Sequence, residues 1–140
     1  MATFKTFEEM EVWQLARVFA KTIYAMTKEG TFSKDFELKN QINKSCGSIM
    51  DNIVEGFEHG GNKEFVMFLS IAKGSAGEAK SQLYRAYDRN HISKNEFETL
   101  TAEVEQISKK ISGLIKYLNS SDLKGVKFIR EPEEDYNLEP

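Results

Sequence analysis

Residues 48–65, SIMDNIVEGFEHGGNKEF, contain the end of one predicted helix, a turn and the start of the next helix, so they indicate where the chain folds back on itself. Ile49, Ile53 and Phe57 recur at helical spacing, and the pair Gly60-Gly61 is typical of a turn. The polar residues among them include carboxylates, an amide and a histidine. They allow three interpretations, namely a catalytic site, solvent-exposed helix surface, or polar contacts between helices.

Length and composition indicate a single helical domain. A chain of 140 residues is long enough to bury its own core. Its two prolines are Pro132 and Pro140, so residues 1–131 contain no proline to break a helix. Cys46 is the only cysteine, which excludes an intrachain disulfide, and its apolar helical position indicates a core residue. With no signal-peptide pattern and no apolar run of ~20 residues, we expect a cytoplasmic protein without membrane attachment.

The charge is concentrated at the C-terminal end. The net charge is -3, but residues 131–140 hold five acids and no base, so residues 1–130 sum to +2. A net charge this close to zero over residues 1–130 does not by itself indicate nucleic-acid binding. We expect residues 120–140 to form a mobile acidic tail with one short apolar patch at 126–129.

Apolar periodicity predicts four helices, at about residues 7–28, 36–59, 63–89 and 94–119. Two capping boxes are predicted, Thr6 with Glu9 and Ser93 with Glu96, and Asn62 is a predicted N-cap. Four amphipathic helices joined by short connections bury their apolar stripes together. We therefore predict an all-α, antiparallel up-down-up-down four-helix bundle for residues 1–119.

A helical wheel places the polar residues of the opening stretch on one flank of helix 2. That flank contains Gln41, Ser45, Ser48, Asn52, Glu55 and His59. Helix 3 carries a corresponding flank of Ser75, Glu78, Gln82 and Arg85. Folding at the glycine pair predicts that Ser48 lies near Ser75 and Ser45 near Glu78, in a row of hydrogen bonds that fixes helix register. The alternative is that both flanks face solvent.

Small residues and the opposite flank of helix 2 predict further contacts. Gly56 and Gly74 are interpreted as points of close helix packing, so the predicted helix-packing motif is Ser48, Asn52, Glu55, Gly56, Gly74, Ser75 and Glu78. On the other flank of helix 2, Gly47, Met50 and Val54 widen the apolar face beyond what one bundle core requires. We expect part of that face to contact another subunit.

Catalytic and metal-binding patterns are not recognisable in the sequence. A carboxylate-bridged dimetal site in a bundle needs Glu-x-x-His on two helices, and no such pattern occurs. His91 falls in a predicted loop without an obvious partner, and the glycines lack the preceding strand of a phosphate-binding loop. We therefore predict no enzyme activity, no cofactor and no small-molecule substrate.

Helix 3 contains the candidates for nucleic-acid contact. Lys73 and Lys80 lie one heptad apart beside Tyr84, and Arg85 and Arg89 follow near the end of the helix. Phosphate contact requires such cations on one face. The alternative interpretation is a solvated surface on which lysines alternate with glutamates.

Several ordered motifs together resemble a known family. They are Glu11-Val12-Trp13, Gln41-Ile42, Ser48-Ile49-x-x-Asn52-Ile53-x-Glu55-Gly56, Lys63-Glu64-Phe65-x-x-Phe68-Leu69 and Gly74-Ser75-x-x-Glu78. This pattern, over about residues 7–118, resembles the bacterial four-helix bundle family that includes proteins encoded in intervening sequences of 23S ribosomal RNA genes. Met50 departs from it, since relatives commonly have proline there, which puts any helix kink at this point in doubt.

The resemblance implies a left-handed bundle assembled as a homopentamer, without enzyme activity. A related group, the accessory proteins of diversity-generating retroelements, forms a basic barrel that works with a reverse transcriptase and nucleic acid. This chain lacks that strong positive charge. The prediction is a cytoplasmic oligomeric interaction module whose partner is RNA, DNA or a nucleoprotein. The alternative is a protein-binding scaffold that binds no nucleic acid.

Overall fold

The computed structural model describes residues 4–120, which form four long α-helices and two short 3-10 turns, with no strand in that range. The α-helices are α1 (Glu11–Met26), α2 (Phe36–His59), α3 (Asn62–Asp88) and α4 (Lys94–Asn119), and the 3-10 turns are Phe7–Glu9 and Gly30–Lys34. The protein is therefore all-α, as predicted.

The apolar stripes of the four helices meet in one continuous core. Its largest buried side chains are Met10, Phe19, Ile23, Phe32, Leu38, Ile42, Ile49, Ile53, Phe57, Phe65, Leu69 and Leu83. The middle of α3 contributes only small buried side chains, Ala72, Ala76 and Ala79. The backbones of α2 and α4 can therefore approach α3 closely.

Side-chain pairs show which helices are neighbours and the relative direction of α2 and α3. Gln41 pairs with Arg85 and Ser48 with Ser75, so α2 and α3 are antiparallel. Lys110 of α4 donates to Glu11 of α1 over 3.1 Å, which brings the first and last helices together. The left-handed sense of the bundle stays a prediction.

The first helix begins later than predicted, and Thr6 forms no capping box. Its hydroxyl contacts the Glu9 carboxylate at 3.3 Å and accepts nothing from the helix backbone. Met10 is extended, with ψ 124°, and its side chain is 1% exposed. Burial of Met10 in the core thus interrupts the helical path, and α1 starts only at Glu11 and ends at Met26.

Other helix ends follow the expected capping chemistry, with one shift. The Ser93 hydroxyl accepts from the Glu96 amide at 3.0 Å and the Glu96 carboxylate accepts from the Ser93 amide at 2.8 Å, so this capping box is confirmed. Gly60 adopts φ 93°, a left-handed conformation that glycine tolerates. Gly61 is the N-cap of α3, so the predicted Asn62 cap is wrong by one residue. Beyond residue 120, the predicted tail lies outside the described residues.

Candidate functional sites

The polar residues of α2 and α3 meet at the centre of the helix pair. The hydroxyls of Ser48 and Ser75 are 2.7 Å apart, and the Asn52 side-chain amide donates to the Ser48 carbonyl at 2.9 Å and to its hydroxyl at 3.0 Å. Ser75 is 6% exposed. A buried polar group without a partner is costly, so these bonds favour one register of α2 against α3.

Gly56 lies against the side of α3. A Cβ atom added at this position would be 2.6 Å from Phe65 Cδ1 and 3.2 Å from Phe68 Cβ. Any side chain larger than hydrogen would therefore push the two helices apart or displace buried Phe65. The predicted close approach is present at Gly56.

Glu55 and His59 lie at the solvent edge of the same helix pair. Their side chains are 57% and 48% exposed, and the carboxylate oxygen is 3.6 Å from the imidazole nitrogen. His59 also packs against Phe68, with ring centroids 5.0 Å apart. A pair this exposed contributes little to stability and has the geometry of helix surface, not of a catalytic site.

Gly74 does not pack against another part of the described chain. A Cβ added at Gly74, or at Gly77, would have no atom within 4 Å. The interpretation of Gly74 as a contact within the bundle is therefore not supported by its surroundings. Gly74 lies on the outer side of α3, because Ser75 and Ala76 face the core while the residues before and after them face outward.

A polar groove opens where Ser45 was predicted to meet Glu78. Its volume is about 420 Å³, and it is lined by Gln41, Lys44, Ser45, Ser48, Glu78 and Gln82. The row of contacts predicted between α2 and α3 is therefore interrupted in its middle. We define this feature as the α2–α3 groove.

Lys73, Lys80 and Tyr84 lie on the side of α3 that faces α4. Lys80 donates a hydrogen bond to Glu105, which raises the pKa of Lys80 and lowers the pKa of Glu105. Tyr84 is 51% exposed and its ring meets Phe97 edge to face at 4.8 Å. One predicted cation is thus partly neutralised, whereas the exposed tyrosine ring is held in place.

Arg85 and Arg89 point the other way, towards α2. Arg85 donates to the Gln41 side chain at 2.9 Å and lies 3.7 Å from Glu37, and Arg89 donates to Asp35 at 2.8 Å. The five predicted nucleic-acid residues therefore do not form one face. Two of the three cations nearest the helix end are occupied in holding α3 to the start of α2.

A cluster around His91 was missed by sequence reasoning. Its Nε2 is 2.8 Å from Asp35, its Nδ1 is 2.8 Å from the Thr31 hydroxyl, and its ring stacks on Phe32 at 5.0 Å. The prediction that His91 has no partner is wrong. Its partners are about 60 residues away in sequence and meet it because the α1–α2 and α3–α4 connections lie at the same end of the bundle.

Asp35 is the centre of this cluster. It caps α2 by accepting from the Leu38 amide at 3.3 Å, and it also accepts from Arg89. The hydrogen bond from His91, followed by that from Arg89, lowers the pKa of Asp35 from 3.8 to about 2. The arrangement joins two connections and the start of a helix.

Within residues 4–120, no group of three or more histidine, cysteine or acidic side chains is placed to hold a metal ion.

The lowered pKa of Asp35 predicts a loss of folding stability in acid. Its folded-state pKa is below its ordinary value, so its stabilising contribution is complete above about pH 3.8 and is lost as the pH falls to about 2. We expect the thermal midpoint of the wild type to fall more steeply over this window than that of Asp35→Asn. Asp51→Asn, at an exposed position on α2, is the control and should retain the wild-type slope. Equal slopes for wild type and Asp35→Asn would contradict this assignment.

Comparison with known proteins places the chain in a family. Residues 8–113 match the model of the 23S rRNA-intervening sequence protein family. The chain belongs to this family. The family match confirms the resemblance drawn from the motifs. A search of curated proteins found no match.

A solved structure supports the family fold. The chain resembles a protein of unknown function from the S23 ribosomal protein family of Bacteroides thetaiotaomicron, with 26% identity and a TM-score of 0.69. The match covers 75% of this chain and 98% of that one. None of the helices in residues 4–120 of this 23S rRNA-intervening sequence family member is long and apolar enough to cross a membrane.

Proposed function

We propose that this member of the 23S rRNA-intervening sequence family is a cytoplasmic, non-enzymatic interaction module that assembles with copies of itself into a homopentamer. The observation that carries the proposal is an exposed apolar strip on α3. Met67 and Ile71, one turn apart, are 50% and 47% exposed, and Gly74 follows them on the next turn. We call these three residues the α3 strip.

The glycine in the α3 strip supports contact with another helix. Glycine in a helix interior costs about 1 kcal/mol relative to alanine. Nothing in the described chain lies close enough to require a glycine at residue 74. Two large apolar side chains beside a glycine form a surface on which a helix of a neighbouring copy can pack closely.

A second surface lies on α2. Gly47, Met50 and Val54 share the flank of α2 that is opposite Ser48. A Cβ added at Gly47 would also meet no atom within 4 Å. We call Gly47, Met50 and Val54 the α2 face.

Two different apolar surfaces favour a ring. When a surface on one copy binds a different surface on the next copy, the contact is heterologous, and repeated contacts close into a cyclic assembly if the rotation permits. The α3 strip and the α2 face lie on different helices and supply such a pair. The number of copies, five, comes from the resemblance to the family.

The chemistry of the described residues supports a role without catalysis. Burial raises the pKa of the Cys46 thiol to about 12, which leaves it protonated and unreactive. The imidazole of His91 is occupied by Asp35 and Thr31, and both contacts serve to join two connections. These groups are explained by structure alone.

Light scattering on a sizing column tests self-assembly. One chain has a mass of 16.0 kDa, so a pentamer has a mass of about 80 kDa. A particle well above the mass of one chain supports the proposal. A 16.0 kDa particle at micromolar concentration would contradict it.

A second candidate function, binding of single-stranded nucleic acid, is favoured by the surroundings of Tyr84. Its half-exposed ring lies on the same side of α3 as Lys73 and Lys80, and the open position Gly77 lies between the two lysines. Exposed aromatic rings stack on bases and nearby cations contact phosphates.

We expect RNA retention at low salt to depend on Tyr84. Because Tyr84→Ala removes one ring on which a base stacks, we expect this variant to bind RNA about tenfold more weakly than the wild type. Tyr24→Ala, which removes an exposed tyrosine from a different helix, should bind RNA as the wild type does. Affinity measured by fluorescence anisotropy with a labelled single-stranded RNA separates the outcomes. No binding by the wild type at low salt would exclude this function.

A further inference from the structure

The α2–α3 groove has hydrogen bonds at both of its ends and none across its middle. At one end Ser48 meets Ser75, and at the other Arg85 donates to Gln41. Between these contacts lies an open groove of about 420 Å³, a volume within the size range of small-molecule sites. The groove is a separate feature from the two surfaces proposed for self-assembly.

One buried acceptor in this groove lacks a protein partner. The Gln82 side-chain oxygen is inaccessible to solvent and accepts no hydrogen bond from any residue in 4–120. Buried amide oxygens are normally satisfied, and an unsatisfied one has a desolvation cost. Because the oxygen lies beneath the groove surface, a ligand with an N–H group removes that cost only when the Gln82 side chain turns towards it.

The walls also carry one cation and one anion that are not paired with each other. Lys44 comes from α2 and Glu78 from α3, and neither forms an ion pair with a described residue. Ser45 and Ser48 add hydroxyl groups on the α2 side. No apolar side chain lines the groove, so its chemistry suits a small polar molecule that carries both charges.

We propose that the α2–α3 groove binds a small zwitterion of the α-amino acid class. The ammonium group donates to Glu78, and it donates to the Gln82 oxygen once that side chain turns into the groove. The carboxylate accepts from Lys44 and from the Ser45 hydroxyl. Because the lining is polar throughout, amino acids with short or polar side chains bind better than leucine or phenylalanine. Occupation of the groove adds contacts between α2 and α3 and stabilises the bundle.

Titration of the full chain with L-serine and L-glutamine, followed by amide NMR shifts, tests this site. We expect shifts at residues that line the groove. Serine amide lacks the carboxylate and N-acetylserine lacks the ammonium group, so each should bind at least about tenfold more weakly. Leucine serves as the apolar comparison.

Two variants, each with a matched control, test which side chains bind the charged groups of the ligand. Glu78→Gln should weaken binding of the zwitterion about tenfold, and Glu98→Gln, an exposed carboxylate on α4, should not. Lys44→Gln should have the same effect, and Lys21→Gln, at an exposed lysine on α1, should have none. Absence of shifts at millimolar ligand, shifts outside the groove, or equal binding by Glu78→Gln would each overturn the proposal. Circular dichroism establishes that every variant is folded.

Discussion

Replacing Gly56 with leucine is expected to lower the free energy of unfolding by roughly 2–3 kcal/mol. The first atom of the new side chain would already come within 2.6 Å of Phe65, and Phe68 closes the other side at 3.2 Å. The greater helix propensity of leucine, about 0.8 kcal/mol over glycine, offsets only part of this strain. Chemical denaturation at one fixed protein concentration measures the change.

Gly77→Leu is the matched control for this prediction. It places the same side chain in the middle of α3, where an added Cβ would meet no atom within 4 Å. We expect its free energy of unfolding to equal that of the wild type or exceed it by up to about 1 kcal/mol. If Gly56→Leu were as stable as Gly77→Leu, Gly56 would not be a point of close contact between α2 and α3.

Ile71→Asp is expected to convert the assembly into single chains. Ile71 is 47% exposed in one chain, so the substitution leaves the core intact. In the proposed assembly the same position is covered by another copy, and a carboxylate buried there without a partner costs several kcal/mol. That cost recurs at every contact around a ring. Light scattering should therefore report a particle of 16.0 kDa for this variant.

Ser70→Asp is the control, since it adds the same charge to the neighbouring residue of α3. Ser70 is exposed and lies outside the α3 strip. We expect Ser70→Asp to retain the mass of the wild-type assembly and both variants to retain wild-type helicity. An Ile71→Asp particle as large as the wild type would show that the α3 strip is not an assembly surface.

The helical architecture could be predicted from sequence because apolar period, glycine turns and capping residues all indicate the same four segments. The start of α1 could not, since it depends on Met10. Thr6 and Glu9 form a valid capping pattern, but burial of Met10 in a core built by distant residues outweighs it. Local patterns cannot reveal a tertiary contact of this kind.

Contacts between neighbouring helices were partly predictable. Ser48 and Ser75 are symmetric about the turn at Gly60-Gly61, so helix periodicity alone brings them together. Gly74 was interpreted as a point of close helix packing, but a Cβ added there would meet no atom of the described chain within 4 Å. The sequence could not show this, because a small side chain does not indicate which way it faces. The cluster of His91 with Asp35 and Thr31 joins two connections, and no linear pattern relates residues in separate connections.

Cysteine cross-linking tests whether the α3 strip of one copy binds the α2 face of the next. Ile71→Cys and Val54→Cys are made in separate copies, coexpressed and oxidised, while Cys46 stays buried in the core. A disulfide requires Cα atoms within about 7 Å, so it reports contact. We predict disulfide-linked pairs only when both variants are present. Equal cross-linking of Ile71→Cys with itself, or no cross-link in the mixture, would contradict the account.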